Sequence, residues 1–443
     1  MTIEYLRGNA VFPDRVAPAL ITIDVEKGTI QAVDPCERKG SEKVLIFPGF
    51  VDAHVHAREY PLPVDADTET FDRWQAMCEK ETFATAVDAA INGGVTLFGA
   101  MPNDPEPPDN EQTYRAKQAL AAHLPCPVVV FGLVTSRSAP WADIPYKVYL
   151  DGWPSKTSFH EWRDLEEVLP RFRGCRVFFH AEDPETLRAH GNGGFPRWQT
   201  RPPEAESIAV ERILSYTARW GLHTHICHIS TKGAAMLIEE YNRSATDQVT
   251  SEVTPHHVFF SVVQGMIRSA TGTPHLPDFF FECNPPLRSE EHRVWILEAL
   301  REGIVSILAS DHAPHTAENK RKGAAGMPHL DTLGAFVGWL IGEMGFSPAR
   351  VADILSSGPA RLFAPDLDYP HGMLCPGAVA SFSVLDVSGV TLVRENSVGN
   401  RTLGTRCAWS PFAGISFPAK VVRTIVKGKD LRDSSPTGEQ PRA

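Results

Sequence analysis

The stretch GFVDAHVHARE (49–59) sets two histidines one residue apart at the end of an apolar run and follows them with an arginine. Ile46, Phe47, Phe50 and Val51, around Pro48 and Gly49, read as a short strand. Residues i and i+2 of a strand share a face, so His54 and His56 point the same way. They stand about 7 Å apart along the backbone, close enough to grip one ion. A pair of surface histidines on an edge strand has the same local pattern, and the rest of the chain has to separate the two readings.

Outward from this stretch, apolar strand-like runs recur: GVTLFGAMP (94–102), CPVVVFGLV (126–134), YKVYL (146–150), CRVFFHAE (175–182), THICHIS (224–230), QVTSEVTPHH (248–257) and VSILASDHAPH (305–315). Segments between them, such as ETFATAVDAAING (81–93) and SIAVERILSYTARW (207–220), carry helical spacing. Strand and helix in alternation predict an α/β chain with a (β/α)₈ barrel over 49–365. Residues 1–48 and 366–431 hold short β-type runs (ALITIDV, VLIF, ASFSVLDV, AKVVRTIVKGK) and are expected to pair into a small β-sandwich domain. The polar tail 432–443 is expected to be disordered.

A chain of 443 residues suits one large barrel plus a minor domain, and 42% hydrophobic with 22% charged residues is ordinary for a globular protein. The net charge of −11 argues against a nucleic-acid or membrane surface. An anionic substrate would then need a local positive pocket. Eight cysteines, scattered without a CxxC, suggest reduced thiols and a cytoplasmic location. The N-terminal residues show no basic-then-apolar signal, and no apolar run is long enough to span a bilayer.

Chemistry-bearing residues collect at the ends of the runs: His54 and His56, Lys147 in YKVYL, His180 after CRVFF, His228 in HICHIS, and Asp311 after VSILAS. Barrel active sites are built where strands end. Any one of these is readily a satisfied core residue; six together point to bound metal. Nitrogen and oxygen ligands without paired thiolates favour zinc or a similar divalent ion. A lysine ammonium cannot ligate a cation, so Lys147 enters such a site only as a carbamate, whose two oxygens suit a pair of ions. Two bridged metals supply hydroxide at neutral pH and polarise a carbonyl, as amide or imide hydrolysis needs. Asp311 would touch one metal and shuttle the proton to the leaving nitrogen.

The motifs DAHVHAR (52–58), MPNDPEPPDN (101–110), YKVYL (146–150), HAED (180–183), HICHIS (225–230), EVTPHH (252–257), NPPLRS (284–289), SDHAPHT (310–316) and SPFAG (410–414) resemble the amidohydrolase superfamily, and within it the dihydroorotases. The Lys147 segment and HICHIS are most similar to the dihydroorotase domain of the animal multifunctional pyrimidine protein. The resemblance implies two zinc ions per chain, bridged by carbamylated Lys147. His54, His56, Lys147 and Asp311 would hold one, and Lys147, His180 and His228 the other. It implies Arg58, Asn103 and His315 as partners of a substrate carboxylate, and Asn284 beside the pyrimidine ring. The implied reaction is the reversible cyclisation of N-carbamoyl-L-aspartate to L-dihydroorotate, with a homodimer or an aspartate transcarbamoylase partner as possible assemblies.

Alternatives stand beside these roles. Arg58 also suits a structural ion pair, Asn103 also suits a turn cap, and spacing does not separate His315 from His312. A further ion on His180, Cys227, Glu252 and His257 is disfavoured, because neighbours on a regular strand point apart and Cys227 adjoins His228. DGWPSKTS (151–158) reads as a lid or as a plain surface loop. HAREYPLP (56–63) and GMPHLDT (326–332) depart from the family's HxHLRxPG and GxPGxET, so the entrance is expected to be shaped differently. The rivals are another cyclic amidase (hydantoinase, dihydropyrimidinase or allantoinase) and a non-catalytic transcarbamoylase partner. The first would not need Arg58 and Asn103; the second would not need all six ligands.

Overall fold

The computed structural model describes residues 2–37, 43–150, 157–191, 194–245 and 248–432. Eight parallel strands form its centre: Phe50–Val55, Val95–Ala100, Val128–Val130 continued at Gly132–Leu133, Tyr146–Leu150, Arg176–Ala181, His223–Ile226, Thr250–Val253 and Ile307–Leu308. The third strand changes neighbour midway: Phe131 N–H donates to Ala100 O, and Gly132 N–H to Pro145 O. The ring closes between the first and last strands. His56 N–H donates to His312 O at 2.8 Å and His312 N–H to His54 O at 3.2 Å.

Nearly every residue of these strands is buried, which is why they read as continuous apolar runs instead of alternating ones. Inside the barrel, Val51, Leu97, Phe131, Phe178 and Ile307 belong to one apolar cluster, with the Phe131 and Phe178 rings edge to face at 4.8 Å. Helices pack outside. Phe83–Gly93 starts on a Thr82 capping box and stops at Gly94, whose φ of 80° is open to glycine at little cost. Pro203–Trp220 begins with proline at its first turn and ends at Gly221.

Both chain ends interleave in a nine-stranded sheet. Ile3–Val11 lies between Val16–Asp24 and Val44–Pro48, and Val44–Pro48 pairs in turn with Phe382–Arg394. Leu6, Ile21, Ile30, Phe382 and Ile425 share a core separate from that of the barrel. This is the barrel with a small β domain that the alternating pattern predicts. The two units meet at Gly49, where a side chain would strike Thr96 Oγ1 at 2.2 Å, so the turn from sheet to barrel needs a residue without one. The sheet therefore delivers the chain straight into the first barrel strand and fixes where His54 and His56 emerge. No helix among the described residues is long and apolar enough to cross a membrane.

Candidate metal centre and active site

The first and last strands are pinned together below the site. Asp52 Oδ1 accepts from the backbone N–H groups of His54 (3.1 Å) and Ser310 (3.0 Å). Above this pin, His54 Nδ1 is 2.5 Å from Glu252 Oε1, and His56 Nδ1 is 2.7 Å from Asn103 Oδ1. Both partners present acceptor oxygens, so each Nδ1 donates a proton to its partner, and each Nε2 faces Asp311 Oδ1, at 3.4 and 3.1 Å. Ligand atoms of His54, His56 and Asp311 lie within 4.8 Å of one another, all buried. Burial alone would raise the Asp311 carboxyl, but the His54 and His56 imidazoles outweigh it and hold it at about 2. For His54, burial works against the charge, yet the Glu252 and Asp311 carboxylates raise it to about 10.

Lys147, His180 and His228 form the neighbouring group. Lys147 is fully buried, with Nζ 2.8 Å from Cys227 Sγ and 5.2 Å from the centre of the Tyr149 ring. His180 Nε2 is 2.8 Å from Glu182 Oε2, and Arg201 grips the same carboxylate. The His228 ring sits 4.5 Å from that of His180 and 5.3 Å from that of His54, joining the two groups. Its Nδ1 is buried without a hydrogen-bond partner among the described residues. These buried nitrogen and oxygen donors, one of them orphaned, fit bound divalent ions.

Three of these positions leave the ordinary backbone regions: Arg58, His228 and Asp311 have φ of 62°, 38° and 45°. Non-glycine residues held there mark sites where tertiary structure overrides local preference. At His228 this overturns the expectation that Cys227 and His228 point apart. The sixth strand stops at Ile226, so strict alternation no longer applies and both side chains reach the site.

The further-ion set is not assembled as expected. Cys227 and Glu252 group with His54, while His180 is held by Glu182, and His257 by Thr254 Oγ1 and Pro285 O. His256, His257 and Cys283 also lie close together. There His257 has spent both ring nitrogens, and burial pushes the Cys283 thiol up to about 12. We read that trio as a hydrogen-bonded core cluster, with His256 stacked on His329 and bonded to it at 3.0 Å.

A cavity of about 480 Å³ opens over the constellation, and His54, His56, His180, His228 and Asp311 line it. Arg58, Asn103, Asn284 and His315 line it as well, so the structure brings the expected ligand and carboxylate-binding residues together, with Lys147 buried alongside. His315 Nε2 accepts from Arg58 at 3.2 Å. His312 instead points to Glu81 and to the backbone of His329 and Leu330. Of DGWPSKTS, residues 151–156 lie outside the described residues.

Two cavity residues carry no sequence signal. After Arg58 the chain forms the helix Thr68–Cys78, and Lys80 just beyond it lines the cavity, its ammonium donating to Met77 Sδ at 3.3 Å. Burial and the Arg58 charge bring its ammonium down to about 8. Arg197 reaches the cavity from the segment before the helix Pro203–Trp220. Neither sits in a spaced motif; only packing places them. Glu182 and Glu252 were legible as motif members, but not as anchors of His180 and His54.

A model of the Amidohydrolase family matches residues 45–431. Among curated proteins, the chain is similar to a dihydroorotase of Pyrococcus furiosus, 28% identical over 95% of this chain and 91% of that one. It is similar to one of Archaeoglobus fulgidus (29%; 93% of each chain) and one of Anoxybacillus flavithermus (30%; 87% and 86%). Among solved structures it is similar to the L-hydantoinase (dihydropyrimidinase) of Arthrobacter aurescens, with a TM-score of 0.79 at 22% identity over 96% and 94% of the two chains. A dihydropyrimidinase of Brevibacillus agri gives 0.78 at 19% over 97% and 95%. At that identity the structures speak for the fold.

Proposed function

The chain belongs to the amidohydrolase family, and from that premise we propose that it is a dihydroorotase, interconverting N-carbamoyl-L-aspartate and L-dihydroorotate in pyrimidine synthesis. The observation that carries this reading is the cation beside the ligand group. Arg58 follows His56 by two residues, is buried, and faces the cavity with His315 on its guanidinium. Asn103 gives its oxygen to His56, which leaves its NH₂ group as a donor. A guanidinium, an amide NH₂ and an imidazole lining one cavity match a carboxylate held next to a scissile amide. Hydantoin, dihydrouracil and allantoin offer no such carboxylate. The names of the sequence relatives support the same reading.

In this proposal His54, His56 and Asp311 would hold one zinc ion and His180 and His228 a second, with Lys147 contributing as a carbamate. Such a pair supplies water that ionises near neutral pH and a Lewis acid for the carbonyl. The chain's own groups do the rest. Arg58, Asn103 and His315 fix the substrate carboxylate and so the orientation of the ring. Glu252 and Asn103 keep the protons of His54 and His56 on Nδ1. Asp311 takes the proton of the attacking water and returns it to the ring nitrogen as the C–N bond breaks, and reverses this in cyclisation. As a carboxylate, it starts in the accepting state.

The test compares substrates on the purified chain. Dihydroorotate and carbamoyl aspartate should turn over far faster than hydantoin, dihydrouracil or allantoin. Arg58→Met should cost roughly ten- to a hundredfold in kcat/KM, as the loss of a charge-assisted contact implies. Near-normal efficiency in that variant would remove the carboxylate site.

A further inference from the structure

Arg197 is 3% exposed and anchored on several sides. Its backbone N–H donates to Glu282 Oε2 (3.1 Å), its Nη2 to Gly323 O (2.9 Å), and its guanidinium lies over the Phe195 ring. Its Nη1 is 3.2 Å from Asn284 Oδ1. A guanidinium has five N–H donors and no acceptor, so the atom that Asn284 shows to Arg197 has to be its oxygen. The NH₂ group of Asn284 is thereby turned away from Arg197. Asn284 is partly exposed, lines the cavity, and its Nδ2 has no protein partner among the described residues. Turning the amide over would set N–H against N–H beside a fixed cation.

We propose that Arg197 is a positioning residue that locks the Asn284 amide with its NH₂ toward the cavity, so that the site selects ligands presenting a carbonyl oxygen there. This rests on the reading of the cavity as the substrate site: a cyclic ureide such as dihydroorotate carries a second carbonyl besides the one that is hydrolysed, which a simple lactam lacks. Arg197 holds the amide oxygen of Asn284, so the effect proposed here has to pass through Asn284.

A double-mutant cycle tests this on steady-state KM and kcat, run with whichever cyclic amide the parent chain turns over. Absence of dihydroorotate turnover in the parent would therefore count against the proposed function and leave the cycle readable. Arg197→Met should raise KM roughly five- to tenfold, the size of one neutral hydrogen bond, with kcat changed less. In an Asn284→Ala background the same change should raise KM by less than about twofold, because the amide to be oriented is gone. Arg197→Lys, which keeps one donor for Oδ1, should recover part of the loss. Equal KM effects in both backgrounds would overturn the proposal. If Arg197→Met does not fold, Asn284→Asp decides: it keeps an acceptor for Arg197 but has no NH₂ to offer. KM at least as high as for Asn284→Ala supports the proposal, and KM within about twofold of the parent overturns it.

Discussion

His54 and His56 each have one ring nitrogen tied to an oxygen, on Glu252 and Asn103, and the other turned toward Asp311. His228, on the other side of the same centre, has a buried nitrogen with no hydrogen-bond partner among the described residues, and Lys147 meets a thiol and a ring face. The first group is organised by protein hydrogen bonds before any ion arrives. The second is anchored at His180 by Glu182 but leaves the His228 nitrogen unsatisfied, at about 1–3 kcal/mol for such a group, until something binds it. The first group should therefore hold an ion by itself, and the second only when Lys147 has been converted to a carboxylate-like group. Hydrogen bonding, more than the count of histidines, separates the two.

Lys147→Ala is the harshest test of that difference. Elemental analysis should show the metal content falling from about two ions per chain to about one, with turnover at background and partial rescue by small carboxylates. Two tightly bound ions in that variant would erase the distinction. Asp311→Asn probes the organised group from inside. An amide oxygen still ligates but carries no proton, so turnover should fall by roughly 10² to 10⁴ while most metal is retained. Substantial activity would remove Asp311 from proton transfer.

Glu252→Gln removes the anchor rather than the ligand. Losing the partner of a ligating histidine should weaken metal affinity roughly ten- to a hundredfold, and a chelator titration should show the loss in the organised group first. An unchanged titration would mean that the short His54–Glu252 contact does not orient the ligand.

The smallest effect concerns Lys80. Its ammonium is held below its ordinary value, at about 8, by burial and by Arg58, so it is charged below that pH and neutral above it. Attraction for a substrate carboxylate is thus present below pH 8 and lost as pH rises through it. KM for carbamoyl aspartate should rise roughly two- to fivefold between pH 7 and 9.5, and Lys80→Met should start high and stay flat across that limb. Equal pH profiles in parent and variant would take Lys80 out of recognition.

Much of this was legible because it obeys short periods. Parallel strands buried on both faces appear as unbroken apolar runs, so VVVFGLV, YKVYL and RVFFHA stand out, and the residues that end them fall at the mouth of the barrel. What was misread broke the period locally. Strand alternation kept Cys227 away from His228 only until a left-handed backbone at His228 ended the strand.

The amino-acid sequence by itself determined the barrel, the β domain from both chain ends, and which side chains stand at the strand ends, because two- and 3.6-residue periods and ligand chemistry are local properties. Tertiary structure alone decided which nitrogen of each histidine faces Asp311, that Glu252 is the anchor of His54, that Lys80 and Arg197 enter the cavity, and which way the Asn284 amide turns. The hydrogen-bond partners concerned lie far apart in the chain: 47 residues for His56 and Asn103, 87 for Arg197 and Asn284, and 198 for His54 and Glu252. No local period encodes a contact of that span; the packed barrel creates it.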